Sequence, residues 1–193
     1  MDSAAFARAK LECETAQTKL SAMRTAPDIK TLAALWSEFL TSAQRCFTKL
    51  RKATEAGPSK GWMDQVVHTR NQDELLSYIL HARNADEHGI KAITEEKDAT
   101  FSLRPKVGTD LHIKSFAITG GQILIDRETA DKVVMEFTPR TIRLAPVTDR
   151  GRTYDPPRTH LGQPVDNPDP ITVAELASSY LAGIVAEAAQ KFG

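Results

Sequence analysis

Cysteine is scarce: Cys13 and Cys46 are the only two in 193 residues. They lie on separate predicted helices and have no metal-type spacing. This excludes a disulfide-built scaffold and reads as two reduced thiols. Neither sign of charge is in surplus, because 25 basic residues stand against 25 acidic ones. A protein that coats nucleic acid non-specifically carries a basic excess, so any contact with RNA here is expected to be local, in a cleft. No uninterrupted apolar run approaches the length of a membrane span, and no membrane partner is expected. Met1-Asp2-Ser3 leads into a charged helix without a signal-peptide pattern, and no repeat or low-complexity tract follows. These absences point to a cytoplasmic protein. The length and ordinary apolar content allow one good-sized domain, or a domain with an appendage.

The patterning that is present divides the chain. Residues 3–24 read as a helix capped by Ser3, with an incomplete stripe of Phe6, Leu11, Leu20 and Met23. Pro27 breaks the chain and Asp28 caps the next helix. Over 29–54, Leu32, Leu35, Trp36, Phe39, Leu40, Ala43, Phe47 and Leu50 follow the helical period closely. The cations at its end, Arg45, Lys49, Arg51 and Lys52, suit the helix dipole. A short helix over Trp62–His68 is followed by a break at Asn71-Gln72-Asp73. Asp73 then caps a helix that runs to about Gly89, a natural left-handed C-terminal residue.

After Thr94, short alternating pieces separated by turn signals predict a small, mostly antiparallel sheet over about 100–147. The proline-rich stretch 148–170 is expected to wander over the surface without regular structure. A final helix over 172–192 is predicted, with Thr172 and Glu175 as a capping box. The fold class is therefore α+β. Residues 1–97 are read as a helical bundle, and 98–193 as a sheet, a proline-rich loop and a C-terminal helix packed on that bundle.

The chemistry concentrates between Tyr78 and His88. At about 100° per residue, His81, Asn84 and His88 share one face of their helix, and the long side chain of Arg83 can lean toward it. The apolar turn before them, Leu75, Leu76, Ile79 and Leu80, faces a core. The Arg83-Asn84-x-x-x-His88 run, on a late helix of an all-α bundle, resembles the signature of the HEPN superfamily. The resemblance covers roughly 28–91. It implies a helical-bundle domain that acts as a homodimer, with paired Arg and His motifs meeting at a cleft, and a metal-independent endoribonuclease activity.

The residue types suit that chemistry. Histidine titrates near neutrality and can act as base or acid on the ribose 2′-hydroxyl and the leaving oxygen. Arginine stays charged and matches phosphate oxygens with a planar fork. The expected roles are His88 as acid/base, Arg83 as phosphate stabiliser and Asn84 as orienter, with His81 and Glu87 in possible support. No cofactor is expected. A metal site from His81, Glu87 and His88 is not expected either, since the histidines are two turns apart and an HExxH pattern is absent. One departure concerns the toxin subset of the superfamily, which carries a Tyr two residues beyond the motif His; here that position is Ile90.

Plainer readings stand beside these. Arg83 can pair with Glu87 one turn on, and His88 can simply favour the helix dipole. His68 and His160 read as surface residues, and His112 as the solvent face of a strand. Arg140, Arg143, Arg150, Arg152 and Arg158 outnumber Asp149 and Asp155 and read as a solvated loop, although they could track RNA or an acidic protein partner. The alternative to a ribonuclease is a non-catalytic module that binds a nucleotide, RNA or protein through the same helix edge.

Overall fold

The computed structural model describes residues 1–89, 92–108, 113, 115–119, 122–138 and 140–193. The fold is α+β. Four helices come first: α1 (Ser3–Arg24), α2 (Ile29–Ala53), α3 (Ser59–Gln72) and α4 (Glu74–His88). The strands β1 (Thr94–Lys97), β2 (Thr100–Pro105), β3 (Phe116–Thr119) and β4 (Gln122–Ile125) follow, then the short α5 (Arg127–Lys132). The chain closes with β5 (Val133–Thr138), β6 (Thr141–Leu144), β7 (Val147–Asp149), β8 (Arg152–Tyr154), β9 (Thr159–His160), β10 (Gln163–Pro164) and α6 (Pro170–Phe192). Contacts divide this chain into two compact units, 1–96 with 142–193, and 97–141. The segment 142–193 thus belongs with the bundle rather than with the intervening strands.

In the first unit α1 and α2 form an antiparallel pair, tied at one end by Asp2 N–H donating to Ala53 C=O at 2.9 Å. The buried stripe of α1 is Ala5, Ala9, Cys13, Ala16, Leu20 and Met23, spaced three and four apart. Its small residues let the two backbones approach. The stripe of α2 buries Trp36, Phe39, Leu40, Phe47 and Leu50, and Trp36 stacks on Phe39 with centroids 5.8 Å apart. Each such side chain contributes about 1.5–3 kcal/mol on burial, against roughly 0.3–0.5 kcal/mol for an exposed pair such as Lys60–Asp64. Packing therefore holds this bundle. α6 packs against α1 and α2 through Val173, Ala174, Ala177, Leu181, Ile184 and Ala188. By length and composition α6 is also apolar enough to cross a membrane, although Glu175 and the serines at 178 and 179 interrupt any continuous apolar run.

The second unit is made of narrow ribbons. β2 and β5 pair antiparallel with Phe101 opposite Phe137 and Leu103 opposite Met135. β3 and β4 pair antiparallel with Thr119 opposite Gln122. The single sheet expected over 100–147 is instead a set of two-stranded pairs. The expectation for His112 and for the Gly120-Gly121 turn lies outside the described residues.

Several boundaries differ from the sequence reading. Asp2 caps α1 in place of Ser3, with its carboxylate accepting from Ala4 and Ala5 N–H. α3 runs from Ser59 through Gln72, longer at both ends than Trp62–His68, and only Asp73 separates it from α4. Asp169 caps α6 with Pro170 at its first turn, so no Thr172–Glu175 box forms; Glu175 instead holds Arg24 at 2.8 Å.

The largest correction concerns 148–170, which is regular in two places. β7 and β8 pair with Asp149 opposite Arg152, and β9 and β10 pair with His160 opposite Gln163. Each hairpin has a two-residue loop with positive φ at both positions: Arg150 (50°) with Gly151 (78°), and Leu161 (49°) with Gly162 (78°). Such mirror-image turns match the twist of the strands they join. Pro164 ends β10 opposite Thr159, at the edge of its two-stranded pair, and the other prolines fall beside these hairpins or at the start of α6.

Candidate functional site

α4 is the element on which the polar groups converge. Asp73 caps it and Gly89 ends it with φ 63° and N–H donated to Asp86 C=O, as the sequence indicates. Its inner face is anchored by Tyr78, which is 1% exposed and donates its hydroxyl to Ala145 C=O at 2.7 Å. Burial raises the Tyr78 phenol well above its ordinary pKa, so it acts as a donor here.

One turn on, His81 Nδ1 lies 2.8 Å from Asp149 Oδ2, and Asn84 Nδ2 donates to the same oxygen at 2.8 Å. An ionised carboxylate only accepts, so His81 Nδ1 carries the proton and Nε2 is left as the free ring nitrogen. The ring is fixed from its face as well: Tyr154 stacks on it with centroids 3.6 Å apart and planes 13° from parallel. Asp149 is buried. The Asn84 amide, then the His81 ring, hold its carboxyl below the ordinary carboxylate pKa, against the opposing effect of burial.

Two open depressions are lined by Tyr154 and by chain neighbours of Asp149. One, of about 460 Å³, is lined by Glu74, Tyr78, Thr153, Tyr154, Asp155 and Arg158 among others. The second, of about 360 Å³, is lined by Ala85, Val147, Thr148 and Arg150 among others. Along α4, His81 falls between the residues that line the two.

The structure brings together only some of the residues singled out in the sequence. His81, expected as support, and Asn84 meet at Asp149. Arg83 does not point free into a cleft: Nη2 pairs with Glu87 and Nη1 donates to Asn84 Oδ1 at 3.3 Å, while Nε is buried with no hydrogen-bond partner among the described residues. Glu87 is thus the ion-pair partner of Arg83, as the plainer reading has it. His88 is the last residue of α4, and its side chain lies outside the described residues, as does Ile90. In the arginine-rich stretch, Arg143 pairs with Glu95 at 2.8 Å. Among the described residues no group of three His, Cys, Asp or Glu side chains is placed to hold a metal ion.

His160 is not a surface residue. It is buried, with Nδ1 3.0 Å from Asp73 Oδ1. Asp73 also accepts Leu76 N–H at 2.8 Å and Leu161 N–H at 2.6 Å. Glu74 accepts Arg158 and Thr159 N–H at 2.9 and 3.1 Å. These two carboxylates strap the β9–β10 segment onto the start of α4.

Asp149 and Tyr154 are the site residues that sequence reasoning missed. A signal for Asp149 exists: Val147-Thr148-Asp149 alternates buried, exposed, buried before the Arg-Gly turn, which puts the acid on the inward face. Comparisons with protein-family models, with curated proteins and with solved structures find no match. The resemblance to the HEPN superfamily therefore stands on Arg83, Asn84 and His88.

Proposed function

We propose that the α4 edge is an RNA-cleaving site of HEPN-like, metal-independent type, and that the chain works as a homodimer. The observation that carries this reading is the His81–Asp149 hydrogen bond. An imidazole held by a buried carboxylate, fixed by a stacked ring and with about 20% of its side chain exposed is a prepared general base or acid. In the proposed reaction His81 Nε2 takes the proton of the ribose 2′-hydroxyl, which attacks the adjacent phosphate. The 5′-oxygen leaves with a proton from a second titrating group, for which His88 of the same or the twofold-related chain is the candidate. Asp149 keeps the His81 tautomer and stabilises the imidazolium as it forms, and Asn84 holds Asp149. Arg83 supplies charge to the phosphate after leaving Glu87, a partly exposed pair worth roughly 0.3–0.5 kcal/mol.

The test is cleavage of a mixed-sequence RNA in EDTA by wild type, His81→Ala and His88→Ala, with sizing by light scattering. The proposal expects a dimer whose cleavage falls about 10²-fold or more in each variant. Cleavage unchanged in both variants would sink it.

A second reading, a non-catalytic module that binds a nucleotide, RNA or protein at the same edge, is favoured by one observation. The single arginine of α4 is already engaged by Glu87 and Asn84. RNA binding by wild type without turnover, insensitive to pH across the histidine range, would select it.

A further inference from the structure

The β7–β8 hairpin holds His81 and also carries arginines that the chain leaves unpaired. Its register sets Val147 opposite Tyr154, Thr148 opposite Thr153 and Asp149 opposite Arg152. Directly opposite residues of an antiparallel pair share a face. Thr148 and Thr153 are exposed together on the outer face, with their hydroxyls 3.4 Å apart. Arg152 therefore springs from the other face, in line with Asp149 and Tyr154, the two residues that fix the His81 ring. Opposite Cβ atoms are about 4.5–5.5 Å apart, within the span of one arginine side chain. Yet Arg152 makes no ion pair with Asp149, whose engaged oxygen is taken by His81 and Asn84; Arg152 is exposed.

Two further arginines stand near it. Arg150 is exposed at the hairpin turn and lines the depression that contains Thr148, and Arg158 is exposed and lines the one that contains Tyr154. Among the described residues no carboxylate lies within ion-pair distance of Arg150, Arg152 or Arg158. The acids nearby are otherwise occupied, apart from the exposed Asp155: Glu74 accepts Arg158 and Thr159 N–H, and Glu87 holds Arg83. The arginine of α4 must leave a partner before it meets a phosphate, whereas those of this stretch need not. A guanidinium fork matches phosphate oxygens, and such contacts hold a nucleic-acid strand in register without reading its sequence. An acidic protein offers similar charges. RNA is favoured because Arg152 shares its face with the residues that prepare His81.

We propose that Arg152 binds the RNA phosphate next to His81, and that Arg150 and Arg158 bind neighbouring phosphates of the same strand. The β7–β8 stretch is then the arm that holds RNA at the site. The proposal rests on the ribonuclease reading for its choice of RNA, and its test reads binding apart from cleavage.

The experiment is fluorescence anisotropy of a short labelled 2′-O-methyl RNA, whose blocked 2′-oxygen prevents cleavage, bound by the full chain over a range of sodium chloride concentrations. The variants are Arg152→Gln, Arg150→Asn and Arg158→Gln, singly and together, with Arg8→Gln on α1 as the control. All four side chains are exposed, and asparagine suits the positive φ of position 150. The expected slope of log affinity against log salt is about −2 in wild type and shrinks by about 0.7 with each arginine removed. Arg8→Gln should match wild type. The proposal is overturned by no binding in wild type, by a wild-type slope in the triple variant, or by an equal loss in Arg8→Gln. A polyglutamate peptide that binds as tightly, with the same losses in the variants, would overturn it in favour of an acidic protein partner. Binding that depends on the three arginines without cleavage of unblocked RNA would support the arm and remove the ribonuclease reading. Cleavage that ignores all three would support the ribonuclease and remove the arm.

Discussion

Two places along α4 bring together the same pair of residue types and use them differently. At its start, Asp73 meets His160; at its middle, His81 meets Asp149. The acceptor capacity of Asp73 goes largely to the backbone, with Leu76 and Leu161 N–H on its two oxygens. Among the described residues, Asp149 receives only side chains, from His81 and Asn84, at a single oxygen. The first pair is sealed and lies edge-on to Tyr180, centroids 6.1 Å apart. In the second, His81 keeps 20% of its side chain exposed, against 10% for His160. A His–Asp contact is therefore not diagnostic by itself. A carboxylate committed to main-chain N–H groups is a strap, whereas one that only orients a ring beside open space is poised for chemistry.

The comparison breaks first at Asp73. Asp73→Ala removes a helix cap and leaves Leu161 N–H and the His160 ring without their acceptor. The expected loss is roughly 3–5 kcal/mol in urea unfolding. A loss under about 1 kcal/mol would mean that the strap is not structural. Next is Tyr78→Phe, which removes the hydroxyl from Ala145 C=O and should cost about 1–2 kcal/mol, read by the same melt. It should leave the acid–base chemistry at His81 intact.

A third test uses pH. The Asp149 pKa is depressed in the folded state, so its contribution is fully present above the ordinary carboxylate pKa and is lost as pH falls through the folded value. The stability gap between wild type and Asp149→Asn should shrink as pH falls below about 4, where the Asp149 carboxylate is protonated. A gap that grows below about pH 4 would contradict the assigned direction. The smallest effect is expected at the turns. Leu161→Asn and Arg150→Asn place a residue that tolerates positive φ where the hairpins require it, and each should gain about 0.5 kcal/mol. Unchanged or lower melting temperatures would count against the turn assignment.

Most of the helical scaffold was legible because its signals are local. The period of Trp36, Phe39, Leu40 and Phe47, the Asp28 and Asp73 caps and the Gly89 stop each act within a turn or two of chain. The site was only partly legible because it is long-range. His81 and Asn84 stood out on their helix, yet the residue that organises them is Asp149, more than sixty positions away. The pairing of Arg83 with Glu87 was legible as a one-turn spacing, whereas its contact with Asn84 was not. The proline count hid two hairpins. Arg150-Gly151 and Leu161-Gly162 are turn dipeptides, but the carboxylates that hold 158–161 in place, Asp73 and Glu74, lie far upstream. Nothing local marks Arg70, beyond the end of the predicted Trp62–His68 helix, as a buried residue, yet it is 9% exposed.

The most direct test of the central claim compares wild type with Asp149→Asn in single-turnover RNA cleavage in EDTA, across pH, with folding verified by circular dichroism. The substitution keeps the shape and removes the charge that orients His81. If His81 and Asp149 act together, cleavage falls about 10²-fold or more while the protein stays folded. Cleavage at the wild-type rate by folded Asp149→Asn, or no cleavage by wild type at all, would contradict the account.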